Sequence, residues 1–349
     1  MGTAVRTAMG MGAAALAALM LTSPGARAAT SAAAVTPAVA PVGNPAPQPS
    51  ATPVPSASPV SSASATPSGS ATPPTPSATA SPSASPTPPA GARMHTYSYG
   101  PHPRQIMDVW WHPTGPRRPA VFVVHGGWWS GGDKKYMTSV TRYYVQQGYT
   151  VVNLDYRLSG DAPWPAQRTD VLSAVAAVRR HPALFNTDPG RYVLLGFSAG
   201  GHLAAAVGTY GDGRPGLRGV VGISPPVSPL SAYEDGTAFG TYEQRKLRRA
   251  AVRLAGGCSP ARCPRVWSSM EVPFHATPGD APMLAVHSAD EFVPPYQSEV
   301  LKESLENVGV PMTVKTMAGT FHSAPLYREP GVAETVRAWI AARLAQPAR

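Results

Sequence analysis

The chain is poor in cysteine, and over one long stretch it carries no charge. Only two of its 349 residues are cysteine, Cys258 and Cys263. A structural zinc site needs about four ligands, and no two others lie at suitable spacing, so no metal is expected. Between Thr30 and Ala92 there is neither a charged nor an aromatic residue. Such a segment cannot bury enough apolar surface to offset the entropy of ordering it, which excludes a packed domain there and predicts an extended linker over 29–92. Long apolar runs are missing as well. The one candidate, Ala8 to Leu21, is about 14 residues, short of the roughly 20 that a membrane-spanning helix needs. Acidic residues are few, 19 against 29 Lys and Arg, which leaves a formal net charge of +10.

What the N-terminus does have is an export pattern. Arg6 supplies a positive start, the short apolar run follows, and Ala26-Arg27-Ala28 is a small-x-small cleavage site. Residues 1–28 are therefore read as a signal peptide cleaved after Ala28, and the protein as secreted, with cell-surface anchoring as the other outcome. No cysteine lies near the cleavage site, so a lipid anchor is not expected. Outside the cell the two cysteines would meet an oxidising environment, and a local Cys258–Cys263 disulfide is expected.

From about residue 93 to the end at 349, short β-rich runs alternate with longer helical ones. QIMDVWW, AVFVVHGG, TVVNLDY, RYVLLGF, GVVGIS, MLAVHS and MTVKTM read as strands. KKYMTSVTRYYVQQG, PAQRTDVLSAVAAVRRH, SAGGHLAAAVGTY, PYQSEVLKESLENVG and GVAETVRAWIAARLA read as helices. This alternation predicts an α/β fold with a mostly parallel sheet covered on both faces. The rhythm breaks over about 225–281, which holds one basic helix and the cysteine pair. An excursion from a strand's carboxyl end is read as a small cap roofing the site. In YEQRKLRRAAVRLAG, Leu247, Ala250, Ala251 and Leu254 recur at helical spacing. The basic residues between them are read as a solvated face, with attraction to an anionic cell-wall polymer or polysaccharide as the functional alternative. Nucleic acid is not an expected partner, since no recognition motif is present.

RYVLLGFSAGGHLAAAV puts a serine at the junction of strand and helix. Gly196-Phe197-Ser198-Ala199-Gly200 fits G-x-S-x-G in the context that gives this motif meaning, an exposed nucleophile on a tight turn. A serine hydroxyl becomes nucleophilic only when a base takes its proton. In VFVVHGGWWSGGDK a strand ends at His125 and two glycines follow. The N–H groups of Gly127, Trp128 and Ala199 are the candidate oxyanion hole, where negative charge would develop in acyl transfer. MLAVHSADEFVPP ends a strand and presents Asp290 and Glu291; MTVKTMAGTFHSA presents His322. Serine, acid, histidine is the chain order of this motif's fold, with Asp290 orienting the imidazole of His322. Among the nine histidines, His125 and His202 are read as supporting turns and His287 as a satisfied core residue.

HGGWWSGGDK, LDYRL at 154–158, NTDPGRYVLLGFSAGGHLAA, DEFVP and the last histidine together resemble the bacterial α/β-hydrolase esterases, closest to the carboxylesterases and the feruloyl- or acetylxylan-esterase-like enzymes. The resemblance covers about residues 93–345. It implies Ser198 as nucleophile, Asp290 as acid, His322 as base and the histidine-glycine-glycine loop as oxyanion hole, with no cofactor. Two departures stand out. Trp128 occupies a position where many relatives have a third glycine, and HSAD is one residue shorter between strand histidine and acid. The D-x-x-V-P alignment favours Asp290 over Glu291.

The reading that results is a secreted serine carboxylesterase acting on short-chain or small aromatic acyl esters, free or linked to polysaccharide. Acetyl to butyryl groups are expected to be favoured, because Trp128, Trp129 and Trp164 would crowd the acyl side and offer surfaces to a sugar or phenolic alcohol. Its rivals are a formamidase, because HGGWW is similar to the kynurenine-formamidase motif, and a non-catalytic adhesion module on the same fold. Oligomeric state is not legible.

Overall fold

The computed structural model describes residues 87–346; the expected signal peptide and most of the expected linker lie outside the described residues. Eight strands form one sheet: β1 (Arg93–Ser98), β2 (Ile106–Trp111), β3 (Arg118–Val124), β4 (Thr150–Leu154), β5 (Thr187–Phe197), β6 (Leu217–Ile223), β7 (Met283–Ser288) and β8 (Met312–Met317). The helices are α1 (Thr138–Gln146), α2 (Ala166–Arg180), α3 (Ala199–Gly208), α4 (Pro229–Asp235), α5 (Tyr242–Leu254), α6 (Pro264–Met270), α7 (Tyr296–Asn307), α8 (Ala324–Tyr327) and α9 (Val332–Leu344).

The strand order is β1-β2-β4-β3-β5-β6-β7-β8. β1 and β2 run antiparallel, and every pair from β4 to β8 is parallel. This is the mostly parallel sheet expected, and the fold is that of an α/β-hydrolase. Every residue of β4 and β7 is buried, the polar Thr150, Asn153, His287 and Ser288 included, because helices cover both faces of the sheet. Val171 of α2, Leu203 of α3 and Leu301 of α7 fill one face. Tyr144 of α1 and Ile340 of α9 fill the other.

β1 was not legible in the sequence. Its residues RMHTYS are mostly exposed at the sheet edge, so no apolar run marks it. α4, α6 and α8 were also missed, each being a turn or two long.

The interval between β6 and β7 holds α4, α5 and α6. Leu247, Ala250, Ala251 and Leu254 of α5 are buried, as their spacing predicts. A capping box of Thr241 and Gln244 starts this helix by satisfying two otherwise orphaned N–H groups. Its basic residues are only partly a solvated face. Arg245 donates to Gly240 O, Arg248 donates to Tyr233 O, and Lys246 Nζ stands 4.4 Å above the ring of Trp128. Arg249 and Arg253 are exposed. The expected Cys258–Cys263 disulfide is present, closing the turn between α5 and α6 across a Cα–Cα distance of 6.0 Å.

Candidate active site

Four parallel strands bring the candidate site residues together at their carboxyl ends, where open α/β sheets bind ligands. β5 ends at Phe197, and Ser198 follows with φ 50° and ψ −120°, a left-handed conformation that costs a non-glycine residue about 1–3 kcal/mol. The flanking glycines make this turn possible. A Cβ on Gly196 would lie 2.2 Å from Gly200 O, and one on Gly200 would lie 2.2 Å from Val124 O. The turn is thus pressed against its own helix and against the end of β3.

β3 leads into His125-Gly126-Gly127-Trp128. The N–H groups of Ser130 and Gly131 both donate to Gly127 O, at 3.1 and 2.9 Å, and close the loop. Trp128 and Trp129 are left-handed, with φ 60° and 52°. That backbone region favours glycine. His125 Nδ1 donates to Gly126 O at 2.8 Å, its ring stacks on Tyr156, and the Tyr156 hydroxyl donates to His125 O. Asp155, from the LDYRL stretch, accepts the Lys134 N–H at 2.7 Å and lies 3.2 Å from His125 Nε2. His202 is fully buried: its Nδ1 accepts from Trp129 Nε1 at 3.1 Å and its Nε2–H donates to Met270 O at 2.9 Å. Burial pushes its pKa down to about 4, so it stays neutral in this bridge. Both histidines support turns, as expected.

His322 Nε2 lies 2.8 Å from Ser198 Oγ. Its loop is held on either side: Ser288 Oγ donates to Phe321 O at 2.5 Å, and the Ser323 N–H donates to Ser224 Oγ at 2.9 Å. The other ring nitrogen, Nδ1, bonds Glu291 Oε2. This corrects the expectation for Asp290, whose side chain is exposed and has no partner among the described residues. The reason is local. β7 and β8 stay joined past their ends through Ala289 N to Met317 O and Asp290 N to Gly319 O. This leaves residues 289 and 290 facing solvent and turns Glu291 back inside. The sequence did contain the signal: Glu291 stands four residues after His287, the interval that HSAD falls one short of.

Glu291 is 6% exposed. Burial alone would raise its pKa, but hydrogen bonds from His287 and His322 outweigh that and hold it below the ordinary glutamate value. The Ser288 N–H also donates to its Oε1, at 3.1 Å.

A cavity of about 370 Å³ opens over Ser198, lined by Gly127, Trp128, Tyr136, Met137, Phe292 and His322 among others. The N–H groups of Gly127, Trp128 and Ala199 donate to no protein acceptor among the described residues. Trp128 stacks on Phe292 at 5.0 Å, and Phe292 lies 4.2 Å from the ring of His322. Two tryptophans expected near the pocket are elsewhere. Trp129 is fully buried, and Trp164 is buried with its Nε1–H on Ser269 Oγ. None of the lining residues comes from 225–281, so that insertion does not roof this cavity; it touches the site through Lys246 on Trp128 and Met270 O on His202. Among the described residues no cluster of His, Cys, Asp and Glu could hold a metal ion.

The BD-FAE family model matches residues 107–305, more than half of the chain. Esterase LipC of Mycobacterium tuberculosis is 34% identical over 113 residues, which is 32% of this chain and 28% of LipC. The chain thus spans under a third of that relative. Versiconal hemiacetal acetate esterase of Dothistroma septosporum is 26% identical over 217 residues, 55% of this chain and 62% of that one. Among solved structures, a truncated carbohydrate esterase from gut microbiota superposes with a TM-score of 0.63 at 21% identity, covering 74% of this chain and 99% of that one.

Proposed function

We propose that this chain, which belongs to the BD-FAE family of α/β-hydrolase esterases, hydrolyses carboxylic esters through an acyl-Ser198 intermediate. The observation that carries the proposal is the hydrogen-bonded series Ser198–His322–Glu291 beside unengaged backbone N–H groups. Ser198 Oγ attacks the ester carbon while its proton passes to His322 Nε2. The carbonyl electron pair moves onto oxygen, next to the amides of Gly127, Trp128 and Ala199, each such donor contributing about 3–4 kcal/mol in comparable sites. The tetrahedral species collapses, the alkoxide takes the proton from His322, and the acyl group remains on Ser198. Water then repeats the sequence. Glu291 stays ionised and stabilises the imidazolium formed at each stage.

Short-chain or small aromatic acyl groups suit the cavity, because the Trp128–Phe292 stack closes one side of it. Hydrolysis of esters carried on polysaccharide fits the same cleft, which is open rather than buried. Export after cleavage at Ala28 rests on the pattern of Arg6, the run from Ala8 to Leu21 and Ala26-Arg27-Ala28. Association of the basic helix with an anionic cell-wall polymer rests on the charge and exposure of Arg249 and Arg253, and association of the linker on its composition alone.

The test combines labelling and turnover. A fluorophosphonate should label wild type at Ser198 and leave Ser198→Ala unlabelled, and aryl acetate should be turned over at least as fast as an N-formyl anilide. Faster cleavage of the formanilide would assign the site to amides, and an unlabelled, inactive wild type would make it a binding module.

A further inference from the structure

His287, at the inner end of β7, faces the oxygen of Glu291 that His322 does not use. Its Nδ1 lies 3.0 Å from Glu291 Oε1 and 3.2 Å from Val293 O. Both are acceptors, so Nδ1 bears the proton. Its Nε2 then accepts, and the Ser298 hydroxyl of α7 supplies a donor at 2.8 Å. The imidazole and the Ser298 side chain are fully buried, so no water replaces either bond.

We infer that His287 is a positioning residue for the reaction at Ser198: its Nδ1–H, with the Ser288 N–H, occupies Glu291 Oε1 and so commits Oε2 to His322. This rests on reading Ser198 as the nucleophile. A glutamate has one more side-chain torsion than an aspartate and would otherwise sample several carboxylate orientations in the same turn. Two donors on one oxygen leave a single rotamer with both bonds made. Misplacement of a catalytic group by about 1 Å can cost on the order of a hundredfold in rate.

The electrostatic consequence has a definite sign. The titratable groups against Glu291 are His287 from β7 and His322 from the loop after β8; Asp290 faces solvent, and Ser298 from α7 is uncharged. A donor on Oε1 disperses the carboxylate charge. Without it Glu291 pulls harder on the proton of His322 Nδ1, the imidazolium is favoured, and the acid limb of kcat/KM moves to higher pH.

Two substitutions separate positioning from packing. His287→Gln keeps an amide near Ser298 but removes the donor to Oε1; His287→Asn keeps an N–H near Nδ1 and gives up Ser298. On an aryl acetate, His287→Gln should lower kcat on the order of ten- to a hundredfold with little change in KM, and shift the acid limb upward. His287→Asn should recover most of both. Unchanged kcat and pH profile in His287→Gln, or equal losses in the two variants without a limb shift, would overturn the inference. Should either variant fail to fold, nitrogen-15 histidine spectra of the wild type decide. His287 should carry its proton on Nδ1, and an Nε2–H tautomer sinks the inference. Fluorophosphonate labelling of the wild type runs alongside, since its failure would remove the nucleophile reading itself.

Discussion

Replacing Glu291 by glutamine should nearly abolish turnover, and replacing Asp290 by asparagine should do almost nothing. Glu291 Oε1 receives the Ser288 N–H and the His287 Nδ1 proton, while Oε2 meets His322. In Glu291→Gln the amide oxygen is therefore held at the Oε1 position, because an NH2 group there would face two donors. The NH2 group is left pointing at His322 Nδ1. That nitrogen must then accept, its proton moves to Nε2, and the imidazole loses the lone pair that takes the Ser198 proton. The equivalent tautomer reversal in a serine protease lowers kcat about ten-thousandfold, or roughly 5.5 kcal/mol of transition-state stabilisation. Asp290 is exposed and unpartnered among the described residues, so Asp290→Asn should stay within about twofold, as surface changes usually do. The assay is kcat on an aryl acetate at saturating concentration, with melting temperatures to confirm folding. A larger loss in Asp290→Asn than in Glu291→Gln would refute the assignment of the acid.

Ser198→Ala and His322→Ala should each remove about a millionfold of kcat, and the double variant little more, because the members act as a unit; additive losses in steady-state kinetics would contradict this. Removing the Cys258–Cys263 bridge by a double serine substitution should cost about 2 kcal/mol, the chain-entropy value for so short a loop, read from urea unfolding midpoints. Glu271 is buried in the insertion, where burial pushes its pKa up to about 7 although Ser228 and the Leu230 N–H both donate to it. Its folded pKa exceeds its unfolded one, so the stability it contributes is complete below about pH 4.5 and is lost as pH rises to about 7. Wild type should lose up to about 3 kcal/mol over that window relative to Glu271→Gln. Parallel denaturation curves of the two proteins at pH 5 and pH 8 would show no such difference if the side chain were ionised throughout.

The parts of this protein that sequence alone determines are those where one residue's chemistry or a short period is decisive. β4 and β7 read as strands because Val151, Val152 and Leu154 in one and Met283 to Val286 in the other form short apolar runs that can be satisfied only between two layers, and α5 was placed by the spacing of Leu247, Ala250, Ala251 and Leu254. Ser198 and His322 were legible because G-x-S-x-G needs its glycines for clearance and because no other histidine follows the acid. Matters of direction were decided only by the tertiary structure. Asp290 and Glu291 are adjacent and carry the same charge, and the β7–β8 register sends one to solvent and the other to His322. Trp128, Trp129 and Trp164 are alike in composition, yet one walls the cleft while the others are core, because backbone torsions and the His202 and Ser269 partners aim each ring differently. Whether the insertion roofs the cleft or braces it from behind depends likewise on where α5 docks, and long-range packing sets that with no local signal in the chain.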